Sequence, residues 1–363
     1  MERDVMKIGL LTSGGDAPGL NAVMRAFAKH VYTQAKDVKI IGFVNGYTGL
    51  IEGDYQELEE EDFDDLLMMG GTVLGSKRQP FKLMTVREGN NKTKLEKMKD
   101  TYEKLGLDCL ITLGGAGTHK TAALLASEGC NVIGLPKTID NDIWGTELTF
   151  GFNTAMQRAT ECIDCMHSTA ASHSRTMLVE IMGNKVGWLT LYAGLAGGAD
   201  MILIPEIPYD EEAVVEFLEK RKKAGEKYSI VAIAEGAMSV EESKLKKKEM
   251  LALRAEKGES TATNRLAKYI QEKTGVETRA QVVGYLQRGG SPNPYDRAIC
   301  SLMGSYAASL ALDGKFGVTV AYSSGKVTYN SLADIAGKAK SVPKDHQLIQ
   351  AAKAMGVSFG TRD

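Results

Sequence analysis

Cysteine, proline and aromatic side chains are scarce in this sequence, neither sign of charge prevails, and no long apolar run interrupts it. Five cysteines in 363 residues (Cys109, Cys130, Cys162, Cys165, Cys300) are too few, and odd in number, for a disulfide framework, which points to a reducing compartment. With 44 Lys and Arg against 46 Asp and Glu the formal charge is -2, so no field for a polyanion exists and no nucleic-acid partner is expected. The most apolar stretch, residues 187–204, is interrupted by Asp200 and dense in glycine, short of the ~20 apolar residues of a membrane span, so no membrane contact is expected. The charged opening, residues 1–7, leaves no room for an apolar leader, and a cytoplasmic location is the expectation. His30, His119, His167, His173 and His346 show no ligand spacing. Cys162 and Cys165 form a lone C-x-x-C in a helix-period segment, so packing is preferred to zinc or redox chemistry.

What the chain has in abundance is glycine, 39 residues against 8 prolines, the ratio of many tight strand-to-helix turns. Its length favours two α/β lobes over one domain. Strand-like runs at 8–12, 38–43, 109–113, 132–135, 177–182, 201–205, 230–234, 280–286 and 318–322 alternate with helix-period segments such as 20–32, 121–128 and 188–195. That alternation predicts a mostly parallel sheet in each lobe. Residues 238–263, rich in interleaved Lys and Glu, read as a solvated helical excursion or loop.

Two glycine loops stand between a strand and a helix: Ser13-Gly14-Gly15-Asp16-Ala17-Pro18-Gly19 and Gly114-Gly115-Ala116-Gly117-Thr118. Backbone N–H groups converging there, with a helix N-terminus behind them, suit a polyphosphate at the carboxyl edge of the sheet. Neither loop has a P-loop or G-x-G-x-x-G pattern, His119 standing where the second P-loop glycine belongs. After the run 132–135 comes Pro136-Lys137-Thr138-Ile139-Asp140-Asn141-Asp142. In extended backbone, Thr138, Asp140 and Asp142 share a face, gathering a hydroxyl and two carboxylates for proton abstraction and metal or phosphate orientation. A turn with capping side chains is the bland alternative. Lys137 offers a point charge to a phosphate, and Arg78, Arg175, Arg279 and Arg288 offer forks.

Taken together, LTSGGDAPGLNAVMR (11–25), GGTVLGSKR (70–78), LGGAGT (113–118), PKTIDND (136–142), SHSR (172–175), EIMGN (180–184), AEG (234–236) and GYLQRGGSPNPYDR (284–297) resemble the phosphofructokinase family. The resemblance implies two Rossmann-like three-layer lobes with mostly parallel sheets and an active site in the cleft between them. Residues 1–150 with about 287–315 would bind the donor, and 151–286 with about 316–363 the sugar. It also implies Mg²⁺-dependent phosphoryl transfer to the 1-hydroxyl of fructose 6-phosphate, from ATP or pyrophosphate, in a homotetramer. Gly15, Arg78, Gly115, Gly117 and Thr118 would hold donor phosphates. Asp140 would be the base, with Thr138, Lys137 and Asp142 beside the transferred group and Asp142 on the metal. Met182, Gly183, Glu235 and Tyr285 would meet the sugar, and Arg175, Arg279 and Arg288 its 6-phosphate, two of them borrowed from a neighbouring subunit.

Three positions depart from the family pattern. Ala116 replaces an aspartate that helps hold Mg²⁺, Asn184 an arginine, and Tyr285 a histidine, so reduced activity is expected. Gly117 goes with ATP and Lys137 with pyrophosphate; Gly117 is given more weight, which makes ATP the expected donor. A pyrophosphate-dependent enzyme and a catalytically weakened sugar-phosphate binder are the alternatives. For the effector site of bacterial relatives, Asp54, His167, Ala224 and Glu226 stand where cations are expected, which predicts little regulation by phosphorylated effectors.

Overall fold

The computed structural model describes residues 5–362 apart from 88, 90 and 257–260. Two compact units emerge, Met1–Thr154 with Arg288–Lys340, and Ala155–Gln287 with Ser341–Asp363. Both are mixed α/β with mostly parallel sheets.

The first unit holds β1 (Met6–Ser13), α1 (Leu20–Gln34), β2 (Val38–Phe43), α2 (Tyr47–Glu52), β3 (Tyr55–Leu58), α3 (Lys94–Leu105), β4 (Cys109–Gly114), α4 (Ala116–Ser127) and β5 (Val132–Pro136). The long helix α5 (Phe152–His173) carries the chain onward. Later in the chain α11 (Pro294–Leu312), β10 (Val318–Ser323), β11 (Lys326–Ser331) and α12 (Leu332–Ile335) return to this unit. The seven strands lie in the order β11-β10-β5-β4-β1-β2-β3, parallel in the middle and antiparallel at both edges. Alternating side chains give the sheet two apolar faces, as a sheet covered on both sides requires. Ile8, Leu10, Ile111 and Ile133 pack on α1 and α11, while Leu11, Phe43, Leu110 and Val132 pack on α2, α3 and α4. Helix α11 starts at an Asn293 cap, whose side chain accepts from Asp296 N at 2.8 Å, with Pro294 in its first turn. Gly304 lets it lie against α1, since a Cβ there would meet Val23 O at 2.5 Å.

Residues 318–331, expected in the sugar lobe, belong instead to this first sheet. Val318 and Thr319 pair with Ile133 and Gly134, so β5 has a parallel neighbour that only a long-range crossover can supply.

In the second unit stand β6 (Thr176–Ile181), α6 (Trp188–Ala196), β7 (Met201–Leu203), α7 (Glu211–Lys223), β8 (Ser229–Ala234), α8 (Val240–Ser243), α9 (Lys247–Glu256), α10 (Ala262–Thr274), β9 (Thr278–Val282) and α13 (Gln347–Ala354). Its four strands, ordered β7-β8-β6-β9, are all parallel. Leu178, Leu203, Val231 and Ile233 pack with Val214 and Leu218 of α7 and Leu266 and Ile270 of α10. Gly194 of α6 faces Ala232 and Ile202, 2.9 Å from where its Cβ would be.

The strand expected over 280–286 ends at Val282, because Gly284 takes a left-handed φ of +55° and the chain enters a short 3-10 turn, Gly284–Gln287. In the Lys/Glu-rich segment, α8 and α9 are anchored through Glu242, which is buried and paired with Arg254 at 2.8 Å and Arg265 at 3.2 Å. Residues 257–260 of that segment lie outside the described part. No helix among the described residues is long and apolar enough to cross a membrane.

Candidate active site

The parallel strands β1, β4 and β5 of the first unit end side by side, and their loops carry most of the donor residues named above. The turn after β1 is held from both sides. Thr12 Oγ1 donates to Gly75 O at 2.7 Å, Ser76 Oγ to Gly14 O at 2.7 Å, and Asn21 Nδ2 to Met69 O at 3.2 Å. Asn21 Oδ1 also accepts from Val73 N at 3.0 Å. Residues 69–77 are thereby strapped to the end of β1, which brings Arg78 to this edge. Gly14 has φ +92°, a conformation that favours glycine.

Gly15 lies against Arg288, since a Cβ there would come within 2.7 Å of Nη1. Arg288, expected beside Arg175 and Arg279, is therefore placed with the donor loops of the first unit. The reason is tertiary: the turn at 289–290 packs on the strap, where a Cβ on Gly70 would meet Gly290 O at 2.3 Å.

Helix α4 begins at Ala116, so the Gly115 loop presents a helix N-terminus with no acidic residue in its first turn. The Thr118 hydroxyl donates to Ser13 O at 3.3 Å and ties the two glycine loops together, and Tyr47 donates to Thr118 O at 3.0 Å. Thr118 thus braces the loops. At Gly117 an added Cβ would meet no atom within 4 Å, so open space lies beside it.

Lys137 is buried at the end of β5, its ammonium donating to Gly15 O. Burial, and to a lesser degree the neighbouring Arg288, bring its pKa down to about 8, with Asp16 and Asp140 pulling the other way. The segment after it is a turn, not the extended run assumed for Thr138, Asp140 and Asp142. Asn141 takes a left-handed φ of +52°, and its Nδ2 donates to Glu147 O at 3.1 Å. Thr138 caps the turn by accepting from Asp140 N at 3.1 Å, and its own carbonyl accepts from Thr149 at 2.7 Å. Ile139 and Asn141 are nevertheless buried while Thr138, Asp140 and Asp142 stay partly exposed. Burial raises the Asp142 carboxyl above its usual range, opposed by hydrogen bonds to the carboxylate and by Lys340 and Lys137.

Two residues escaped sequence reasoning. His119 sits buried behind the glycine loop, where Nδ1 donates to Gly115 O at 3.0 Å and Nε2 accepts from Thr319 Oγ1 at 2.8 Å. Burial holds it neutral, its pKa brought down to about 4. Lys340 donates to Thr146 O at 2.8 Å and Glu147 O at 3.0 Å, and its backbone N–H to Asp142 O at 2.8 Å. Nothing in the local pattern signals the contacts to Thr319, Thr146 and Glu147, which lie 193 to 200 positions away.

In the second unit a pocket of about 170 Å³ opens at the carboxyl ends of β6, β8 and β9, lined by Glu180, Met182, Glu235, Val282, Gly284 and Tyr285. Met182, Glu235 and Tyr285 of the expected sugar set are here, and Gly183 adjoins. Glu235 Oε1 accepts from Gly183 N at 3.3 Å and Asn184 N at 2.7 Å, and Gln287 Oε1 accepts from Met182 N at 2.9 Å. Tyr285 is 81% exposed. Arg175 and Arg279 lie elsewhere, at the amino ends of β6 and β9, both paired with Glu277 at 2.9 and 2.5 Å.

Comparison with known proteins identifies the family. The Phosphofructokinase family model matches residues 7–311. An ATP-dependent 6-phosphofructokinase of Spirochaeta thermophila is 52% identical over 97% of both chains. A pyrophosphate–fructose 6-phosphate 1-phosphotransferase of Amycolatopsis methanolica is 41% identical over 94% of this chain and 97% of its own. The crystal structure of Pichia pastoris phosphofructokinase in the T-state superposes with a TM-score of 0.79 at 28% identity, covering 99% of this chain and 37% of that one. With the match running from β1 through α11, the chain belongs to the phosphofructokinase family.

Proposed function

We propose that this chain transfers the terminal phosphoryl group of ATP to the 1-hydroxyl of fructose 6-phosphate. The observation that carries the choice of donor is the open space at Gly117, where no atom lies within 4 Å of an added Cβ and a nucleotide's inner phosphate has room. Gly15, Gly115 and Gly117 hold the donor phosphates by backbone N–H groups, with Arg78, Lys137 and Arg288 supplying positive charge. Asp140 takes the proton of the sugar hydroxyl, and the capped turn from Thr138 to Asn141 fixes where its carboxylate points. Arg288 faces the donor in this reading, since it packs on Gly15.

A divalent cation fits the residues present. Asp142 keeps a carboxyl that burial leaves short of compensation, and an incoming cation relieves that. Among the described residues no three His, Cys, Asp or Glu side chains are grouped to hold a metal alone. That suits Mg²⁺, which uses one or two carboxylates plus substrate phosphates. Bound there, it would neutralise charge on the donor. Ala116 leaves one oxygen fewer than the family pattern, and turnover is correspondingly low.

The positions of Arg175 and Arg279 support self-association. Along the strands, at 3.3 Å per residue, Arg279, paired with Met177, stands about 17 Å and Arg175 about 23 Å from Met182, so the 6-phosphate of a sugar in this pocket needs arginines from a second copy. A homotetramer in the cytoplasm is the assembly and location that agree with this reading.

Pyrophosphate is the second reading, favoured by the buried Lys137 ammonium among the donor loops. A coupled assay with each donor, on this chain and on Ala116→Asp, decides. Turnover with ATP, increased at least tenfold by Ala116→Asp, is the expected outcome. Turnover with pyrophosphate alone overturns the ATP reading. Sugar binding without turnover by either donor in either protein leaves a binding protein.

A further inference from the structure

Glu180 is the penultimate residue of β6, on the same strand face as Leu178, and it lines the pocket that also holds Glu235. The two carboxylates are in different states. Glu235 Oε1 accepts from two backbone N–H groups, whereas Glu180 is only 7% exposed and its Oε2, shielded from water, meets no hydrogen-bond donor among the described residues. Two cations of the expected sugar set, Arg175 and Arg279, are paired with Glu277 at the opposite end of the sheet. A buried carboxylate without a donor is unfavourable, and folds retain one where a ligand supplies the missing proton donor. In an all-parallel sheet that ligand sits at the carboxyl ends of the strands, where Glu180, Glu235 and Gly284 meet.

We infer that Glu180 is a specificity-determining residue that accepts a hydrogen bond from a hydroxyl of a polyhydroxylated substrate in this pocket. The inference rests on the sugar half of the proposed function. Glu235 is held by the backbone and forms a fixed wall; Glu180 is the acceptor left free to select a substrate with a hydroxyl at the matching carbon. A ligand lacking that hydroxyl leaves the carboxylate buried and unpaired, which is the strongest way a site rejects an analogue.

The test uses the full chain and Glu180→Gln, with Glu180→Met as a second variant of similar size. Binding of fructose 6-phosphate is measured by calorimetry without donor, beside initial rates and thermal melting. Glu180→Gln should weaken sugar binding about ten- to hundredfold and leave the donor KM unchanged. Its Tm, and that of Glu180→Met, should equal or exceed that of the unmodified chain, because an unpaired buried charge has been removed. Among singly deoxygenated fructose 6-phosphates, one should bind the unmodified chain and Glu180→Gln alike. Unchanged sugar affinity in Glu180→Gln overturns the inference. So does a lower Tm in both variants with sugar and donor binding weakened together, which would mark Glu180 as a structural ion-pair partner. If the unmodified chain binds no fructose 6-phosphate, the sugar reading fails and the inference with it; binding that is indifferent to Glu180 sinks the inference alone.

Discussion

Gly117 and Lys137 set the donor question one side chain at a time. Because a Cβ at Gly117 meets open space, Gly117→Asp should fold without strain, and its carboxylate in the first turn of α4 complements the helix N-terminus. In the proposed reading the same carboxylate would face an inner phosphate of the donor. Steady-state rates should show ATP turnover reduced at least tenfold while pyrophosphate turnover falls less, with the Tm no lower. If both donors suffer equally, Gly117 does not read the nucleotide. Lys137, with its pKa brought down to about 8, is still protonated at neutral pH and loses its charge as the pH passes 8. The donor KM should therefore climb above pH 8, and Lys137→Met should give a higher but flat profile. Stability runs in the same direction on the pH axis: the buried ammonium weighs on the fold below pH 8 and ceases to do so as pH rises from 8 towards the unfolded value of about 10.4.

At the scale of elements, β10 reaches the glycine loop through a relay of Thr319, His119 and Gly115 O. Gly134 makes room for it, since a Cβ there would stand 2.9 Å from Thr319 and 3.2 Å from His119. The imidazole must stay neutral to accept from Thr319. Its folded pKa of about 4 lies below the unfolded 6.5, so this contribution is whole above pH 6.5 and is lost as the pH falls through 4, about 3 kcal/mol in all. Melting curves between pH 7 and 5 should show a steeper loss for the unmodified chain than for His119→Gln, which starts lower. On the second unit, Glu242 is 2% exposed between Arg254 and Arg265, both nearly buried. Glu242→Ala should cost about 3–5 kcal/mol and open α8 and α9 to proteases before the core melts. The capping box of Ser239 and Glu242 is a local signal, but its buried arginines are not, since Arg254 and Arg265 fall on two separate helices.

For the whole molecule, the proposed function requires more than one chain, because the arginines lie at the amino ends of β6 and β9 and the pocket at their carboxyl ends. Arg279→Ala and Glu235→Ala should each have little activity, yet mixed oligomers of the two should regain part of it, because some sites then combine an intact pocket with an intact partner arginine. No recovery on mixing, or full activity of Arg279→Ala alone, removes the argument for shared sites. Light scattering on the 39.2 kDa chain should give a mass that is a multiple of this value.

The sequence by itself determined what neighbours along the chain decide. Short, nearly continuous apolar runs made the parallel strands, paired glycines made the strand-to-helix loops, and the spacing of Thr138, Asp140 and Asp142 placed them on the less buried side even though the backbone turns. Tertiary structure alone decided the rest. It moved 318–331 into the first sheet, put Arg288 on Gly15, spent the Thr118 hydroxyl on a brace, buried His119 and made Lys340 a strut, and left Glu180 Oε2 without a donor among the described residues. Each of these depends on which strands become neighbours and in what register. Sheet order is set by packing between segments far apart in the chain, and no local pattern encodes it.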